Sequence, residues 1–73
     1  MTGPFSADDL QVIAHQWDVA AAHEDYKART EDSAACVEAA SLCRRTAESI
    51  RLEARTGHVH CVCHLRPVEE CGR

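Results

Sequence analysis

The sequence is poor in the residues that build large cores. Of its 73 residues only Phe5, Trp17 and Tyr26 are aromatic, and much of the remaining apolar content is alanine, which removes little area from water per side chain. A chain of this length buries roughly 60% of its unfolded surface, so the expectation is a single small domain, residues 1–73, with a thin core. Chains this slight draw reinforcement from a metal ion, disulfides or a second subunit.

Other absences narrow the class. No apolar run approaches the roughly 20 residues that a membrane-spanning helix needs. The start, Met1-Thr2-Gly3-Pro4-Phe5-Ser6, has neither a basic region nor an apolar stretch of the kind that secretion signals carry. The expectation is a soluble, cytoplasmic protein. A net charge of −4 gives no general attraction to nucleic acid. There is no Cys-x-x-Cys pair, no internal repeat and no low-complexity tract. Five cysteines are an odd number for complete pairing, and in a reducing compartment they are more often thiols or metal ligands than disulfides. Lysine occurs once against seven arginines, a bias that with the abundant alanine suggests a GC-rich genome, a phage among the candidates.

What is present reads as helix. Ser6 is placed to cap a first helix with Asp9 at the third position in a capping box, and Phe5 to pack on Leu10 as a hydrophobic staple. Leu10, Ile13, Ala14, Trp17, Ala20, Ala21 and Ala28 then recur at helical spacing, predicting a helix over 7–28. A second stripe at Cys36, Ala39, Ala40, Cys43, Ala47, Ile50 and Ala54 predicts a helix over 34–56. Gly57 stands where a left-handed terminating residue belongs, and Arg51 and Arg55 suit the negative end of the helix dipole.

No glycine or proline separates the two, so one helix of about 50 residues is the alternative. Its register fails. Extending the Leu10/Trp17 heptad lands on Glu24, Glu31 and Glu38, out of phase with the stripe that starts at Cys36. A turn over 29–33, where Thr30, Asp32 and Ser33 are all good caps, repairs the phase. The fold class is therefore all-α, an antiparallel two-helix hairpin with a short irregular or extended tail over 57–73. Up to Glu38 there are eight acids against Lys27 and Arg29, and beyond it six arginines against four glutamates, so folding back brings an acidic arm onto a basic one. The expected pairing sets Trp17 level with Cys43, Leu10 and Ile13 near Ile50, and Asp18 beside Arg44 or Arg45. Leu10, Ile13, Trp17, Cys43 and Ile50 would form the core and the interface of a homodimeric four-helix bundle.

The tail carries the chemistry. His58, His60, Cys61, Cys63, His64 and Cys71 offer imidazole and thiolate donors, the ligands that zinc takes four at a time, and Pro67 lies where the chain must return for Cys71 to join. Zinc is the expected metal, with copper(I) also compatible with thiolate. A competing reading is an extended strand, with Val59, Cys61, Cys63 and Leu65 packed on the hairpin and the histidines facing water; a disulfide is a third. Cys36 and Cys43 are two helical turns apart, about 10.5 Å along the axis, and read as small seam residues. Arg44, Arg45, Arg51 and Arg55 form a partly basic face, interrupted by Glu48 and Glu53, that could meet phosphate. Trp17 with His15 and His23 could suggest a pocket, but a tryptophan in an alanine-rich stripe reads as the main core or interface anchor. Nucleophilic catalysis needs an orienting group, oxyanion donors and a cleft, for which this chain has little room. The expected function is a small non-enzymatic protein-binding module or regulator, homodimeric, with a metal-stabilised tail. The alternatives are a zinc-dependent nucleic-acid-binding regulator and a metal carrier or sensor.

Overall fold

The structure, a computed structural model, describes residues 5–71; the expectations placed on Met1 to Pro4 and on Gly72 and Arg73 lie outside them. Two helices, α1 (Ala7–Glu31) and α2 (Ala34–Thr56), pack along their length. A tail follows that holds one 3-10 turn, Val68–Glu70. The single uninterrupted rod is thereby excluded.

Local chemistry sets each boundary. Ser6 accepts from the Asp9 N–H while the Asp9 carboxylate accepts from the Ser6 N–H, closing the capping box. Phe5, placed to staple onto Leu10, is half exposed. At its far end α1 runs three residues beyond the expected 28. Thr30 does not act as a cap, because its hydroxyl donates back to the carbonyls of Tyr26 and Lys27 and stays inside the helix. Asp32 ends α1 in the left-handed conformation, φ 51°, which aspartate tolerates better than most residues. Ser33 then caps α2 by accepting from the Cys36 N–H at 3.4 Å. The expected five-residue turn is a two-residue one, Asp32–Ser33. Gly57, at φ 78°, ends α2 and donates its N–H to the Glu53 carbonyl.

The later reversal moves the register. Arg51 meets Asp18 and Arg44 meets Asp25, so one heptad forward on α1 matches one heptad back on α2, the signature of an antiparallel pair. Asp18 was expected beside Arg44 or Arg45. Each residue by which the turn moves displaces facing partners by two, and a long arginine side chain covers most of the remaining helical turn. Trp17 consequently lies nearer the level of Ile50 than of Cys43, and Leu10 nearer the end of α2.

Alanine forms the seam. Ala14 and Ala21 on α1, and Ala40 and Ala47 on α2, are fully or almost fully buried, with Leu10 beside them. Each alanine pair is seven residues apart, the spacing that keeps one stripe facing a partner helix. Residues three beyond Ala14 and Ala40, namely Trp17 and Cys43, fall at one edge of the seam, with Ile50 following Ala47 in the same way. Residues four beyond, Asp18, Arg44 and Arg51, fall at the other edge. The hairpin thus has an ion-paired edge and an apolar one. Trp17 is not the core anchor expected of it, being 40% exposed, because contact between methyl groups leaves no volume for an indole between the helices. Ile13, Cys43 and Ile50 are half-buried at the same edge.

The body is slender. Its radius of gyration is 13.6 Å, against about 11 Å for a compact domain of this length, and its surface of 5030 Å² exceeds the roughly 4,500 Å² usual for its mass.

Two outcomes are expected. Ala14→Leu forces the helices apart and destabilises by about 1–3 kcal/mol, read by urea or thermal unfolding, whereas Trp17→Ala costs less than the about 3–5 kcal/mol of a fully buried tryptophan. The Asp18 carboxyl is held below its ordinary value of 3.8 by its hydrogen bond to Arg51. A depressed acid stabilises above its unfolded pKa and loses that contribution as pH falls through its folded one. Acid titration of Asp18→Asn should therefore fall short of the parent at neutral pH and converge on it as pH falls below the ordinary carboxyl value of 3.8 and through the lowered folded one.

Candidate metal centre

The tail folds into a tight loop on α2. The Cys61 N–H donates to the Arg66 carbonyl at 2.8 Å and the Leu65 N–H to the Cys61 carbonyl at 3.0 Å, with Leu65 in the left-handed region at φ 57°. One rung further out, the Val68 N–H donates to the Val59 carbonyl at 3.0 Å, beside an antiparallel bridge between His60 and Pro67. The chain reverses over the three residues after Cys61, which rules out the extended strand with Cys61, Cys63 and Leu65 on one face. Pro67 begins the return leg as expected.

Reversal gathers the donors. The ligating atoms of Cys61, Cys63, His64 and Cys71 all lie within 4.8 Å of one another. Four ligands around a tetrahedral zinc are about 3.5–3.8 Å apart, given zinc–sulfur bonds near 2.3 Å and zinc–nitrogen bonds near 2.0 Å. The Cys63 and Cys71 sulfurs are 3.4 Å apart. All five cysteines are free thiols. The four side chains are close enough to hold a metal ion.

His58 and His60 are not in the group. The loop turns after them: His60 Nδ1 is 2.9 Å from the His58 carbonyl oxygen, and the His60 carbonyl accepts from the Ser49 hydroxyl of α2 at 2.7 Å. Cys36 and Cys43 remain half-buried on α2, apart from the cluster.

The electrostatics favour a thiolate at the base of the loop. Cys61, 9% exposed, has its pKa lowered to about 6, first by hydrogen bonding from the Arg66 backbone and then by the His64 N–H, which lies 3.4 Å from its sulfur. Cys71 is pushed up to about 11, chiefly by its contact with Cys63 and then by Cys61. Three thiols crowded together cannot all ionise without a counter-charge, and a divalent cation supplies one.

Two anchors missed by the sequence reading fix this loop to α2. Ser49 is buried and holds the His60 carbonyl; Arg45 reaches the Cys63 carbonyl at 3.5 Å. Ser49 lies roughly 200° around α2 from the seam residue Ala47, on a face that the stripe pattern leaves to solvent, so no sequence signal marked it. The arginine face itself is engaged within the chain: Arg44 with Asp25, Arg51 with Asp18, Arg55 with Glu48 at 3.5 Å, and Arg45 with the tail. Among the described residues no helix is long and apolar enough to cross a membrane. Comparison with protein-family models, with curated proteins and with solved structures finds no match.

Replacing any one of Cys61, Cys63 or Cys71 by serine, or His64 by alanine, should take the bound metal from about one ion per chain toward none under competition with a chelator. His58→Ala and His60→Ala should leave it near the parent value. Elemental analysis of each purified variant reads the difference.

Proposed function

We propose that this chain is a small non-enzymatic protein-binding module or regulator, homodimeric and cytoplasmic, whose tail loop is stabilised by one structural zinc ion held entirely by tail residues. The observation that carries the reading is the convergence of three thiols and one imidazole where the tail reverses. Three cysteines and one histidine make a complete tetrahedral set with no open position, the arrangement of structural rather than catalytic zinc. A mixed set of three thiolates and one imidazole is an established structural zinc set, whereas copper(I) is selected chiefly by soft sulfur ligands.

A thin hairpin has reason to use such an ion. A structural metal lends its binding energy to folding, and here it would stabilise the tail loop while the alanine seam supplies little buried area. The slender body and the exposed apolar side chains of both helices support a role in binding protein. Nucleic-acid binding through Arg44, Arg45, Arg51 and Arg55 is the weaker alternative, since each guanidinium already has a partner within the chain.

One observation favours a second reading. Cys63 and His64 are exposed, and ligands open to solvent exchange metal readily, as a carrier or sensor requires. Chelation separates the two. For the structural ion, stripping the metal from purified protein lowers the melting temperature, by about 4–8 °C for every 1 kcal/mol lost, and loosens the tail to proteolysis after residue 57. A melting curve unchanged by chelation would overturn the structural role and leave the carrier. Elemental analysis together with native mass gives metal content and subunit number on the same sample.

A further inference from the structure

The face of α1 that points away from the hairpin is not uniformly polar. Val12, Val19 and Tyr26 recur every seven residues and are 60%, 52% and 60% exposed, with Ala22 between the last two also exposed. Val12 and Val19 each precede a buried seam alanine by two positions, which places them roughly 200° around the helix from the seam. Phe5, seven residues before Val12, is half exposed as well. Seven-residue spacing of apolar side chains is the pattern by which a helix meets another helix. The hairpin's own partner helix lies on the opposite side, so this stripe is a second one, without an occupant among the described residues.

The charges beside it indicate what that occupant is. The N-terminal end of α1 carries Asp8 and Asp9, and its C-terminal end carries Lys27 and Arg29, its only basic side chains apart from histidine; Glu24, Asp25 and Glu31 at that end lie further round the helix from the stripe, and Lys27 is 3.7 Å from Glu24. By helical phase Asp8 and Arg29 flank one side of the stripe, and Asp9 and Lys27 the other. An antiparallel helix of the same sequence, centred near Val19, would bring Asp8 toward Arg29 and Asp9 toward Lys27 of the other copy on both flanks, whereas a parallel one would stack like on like. His15 and His23 would lie between these ends. Such a surface is complementary to itself, the requirement of a two-fold dimer.

We infer that the homodimer forms through the outward Val12–Val19–Tyr26 face of α1, packed antiparallel against the same face of a second copy. The inference rests on the dimeric reading above and moves its interface away from Ile13, Trp17, Cys43 and Ile50, which border the hairpin's own seam.

Native mass and sedimentation on the zinc-loaded full chain test it. The parent is expected at twice the 8.0 kDa chain mass, and Val19→Glu at the single-chain mass with helicity and metal content unchanged. Asp8→Lys should weaken association, at least tenfold in dissociation constant, and Asp8→Lys with Arg29→Glu should restore it by swapping the charges. That swap reports on the interface even where Val19→Glu folds poorly. A dimer that survives Val19→Glu and ignores the charge swap, yet dissociates on Ile13→Glu or Trp17→Glu, would overturn this surface while keeping the dimer. A parent that stays single at all concentrations would overturn both.

Discussion

The constraint on which the rest of the structure depends is contact between two helices through alanine. Methyl groups at Ala14, Ala21, Ala40 and Ala47 allow a close approach, and helix separation follows the size of the side chains at the contact. The same contact removes little apolar area from water, and hydrophobic stabilisation scales with that area. Stability has to come from elsewhere. The ion pairs Asp18–Arg51 and Asp25–Arg44 lie at an edge open to solvent, where such pairs contribute little; their larger effect is on register, since a slip of one residue separates both at once.

The tail answers a different need. A loop of this length has no core, and its backbone polar groups must find partners of their own. It does so through ladder-like bonds around Cys61 and through Ser49 and Arg45 on α2. The geometry that satisfies the backbone also selects the cluster. Reversal after Cys61 brings Cys63 and His64 round to its sulfur, and the return leg from Pro67 delivers Cys71. His58 and His60 precede the reversal, so they remain on the approaching leg.

Much of this was legible in the residues. The two stripes, the capping box, the stop at Gly57 and the helical class follow from local patterns, and each is present. The turn and the register were not legible. Thr30, Asp32 and Ser33 can each end or begin a helix, and the decision rests on whether the Thr30 hydroxyl bonds backward, which competes closely with capping. Everything that depended on the turn inherited the error, including the partner of Asp18 and the level of Trp17. Six tail residues were named as ligand candidates and four converge. The two that do not were indistinguishable by residue type, because the bend that separates them depends on backbone bonds and on a left-handed Leu65, a conformation that leucine rarely adopts.

Trp17 shows why size alone misleads. The largest apolar side chain of an amphipathic helix is ordinarily its anchor, yet a seam of methyl groups has no room for it, and it moves to the edge. The displaced bulk and the outward valines then leave α1 with three functions around its circumference: alanine toward α2, aspartate toward the arginines, and a second apolar stripe behind. Evenly spaced valines form an apolar stripe that burial against another helix would remove from water, and the opposed charges flanking its two ends, Asp8 and Asp9 against Lys27 and Arg29, make a copy of itself a better fit than a helix of uniform charge.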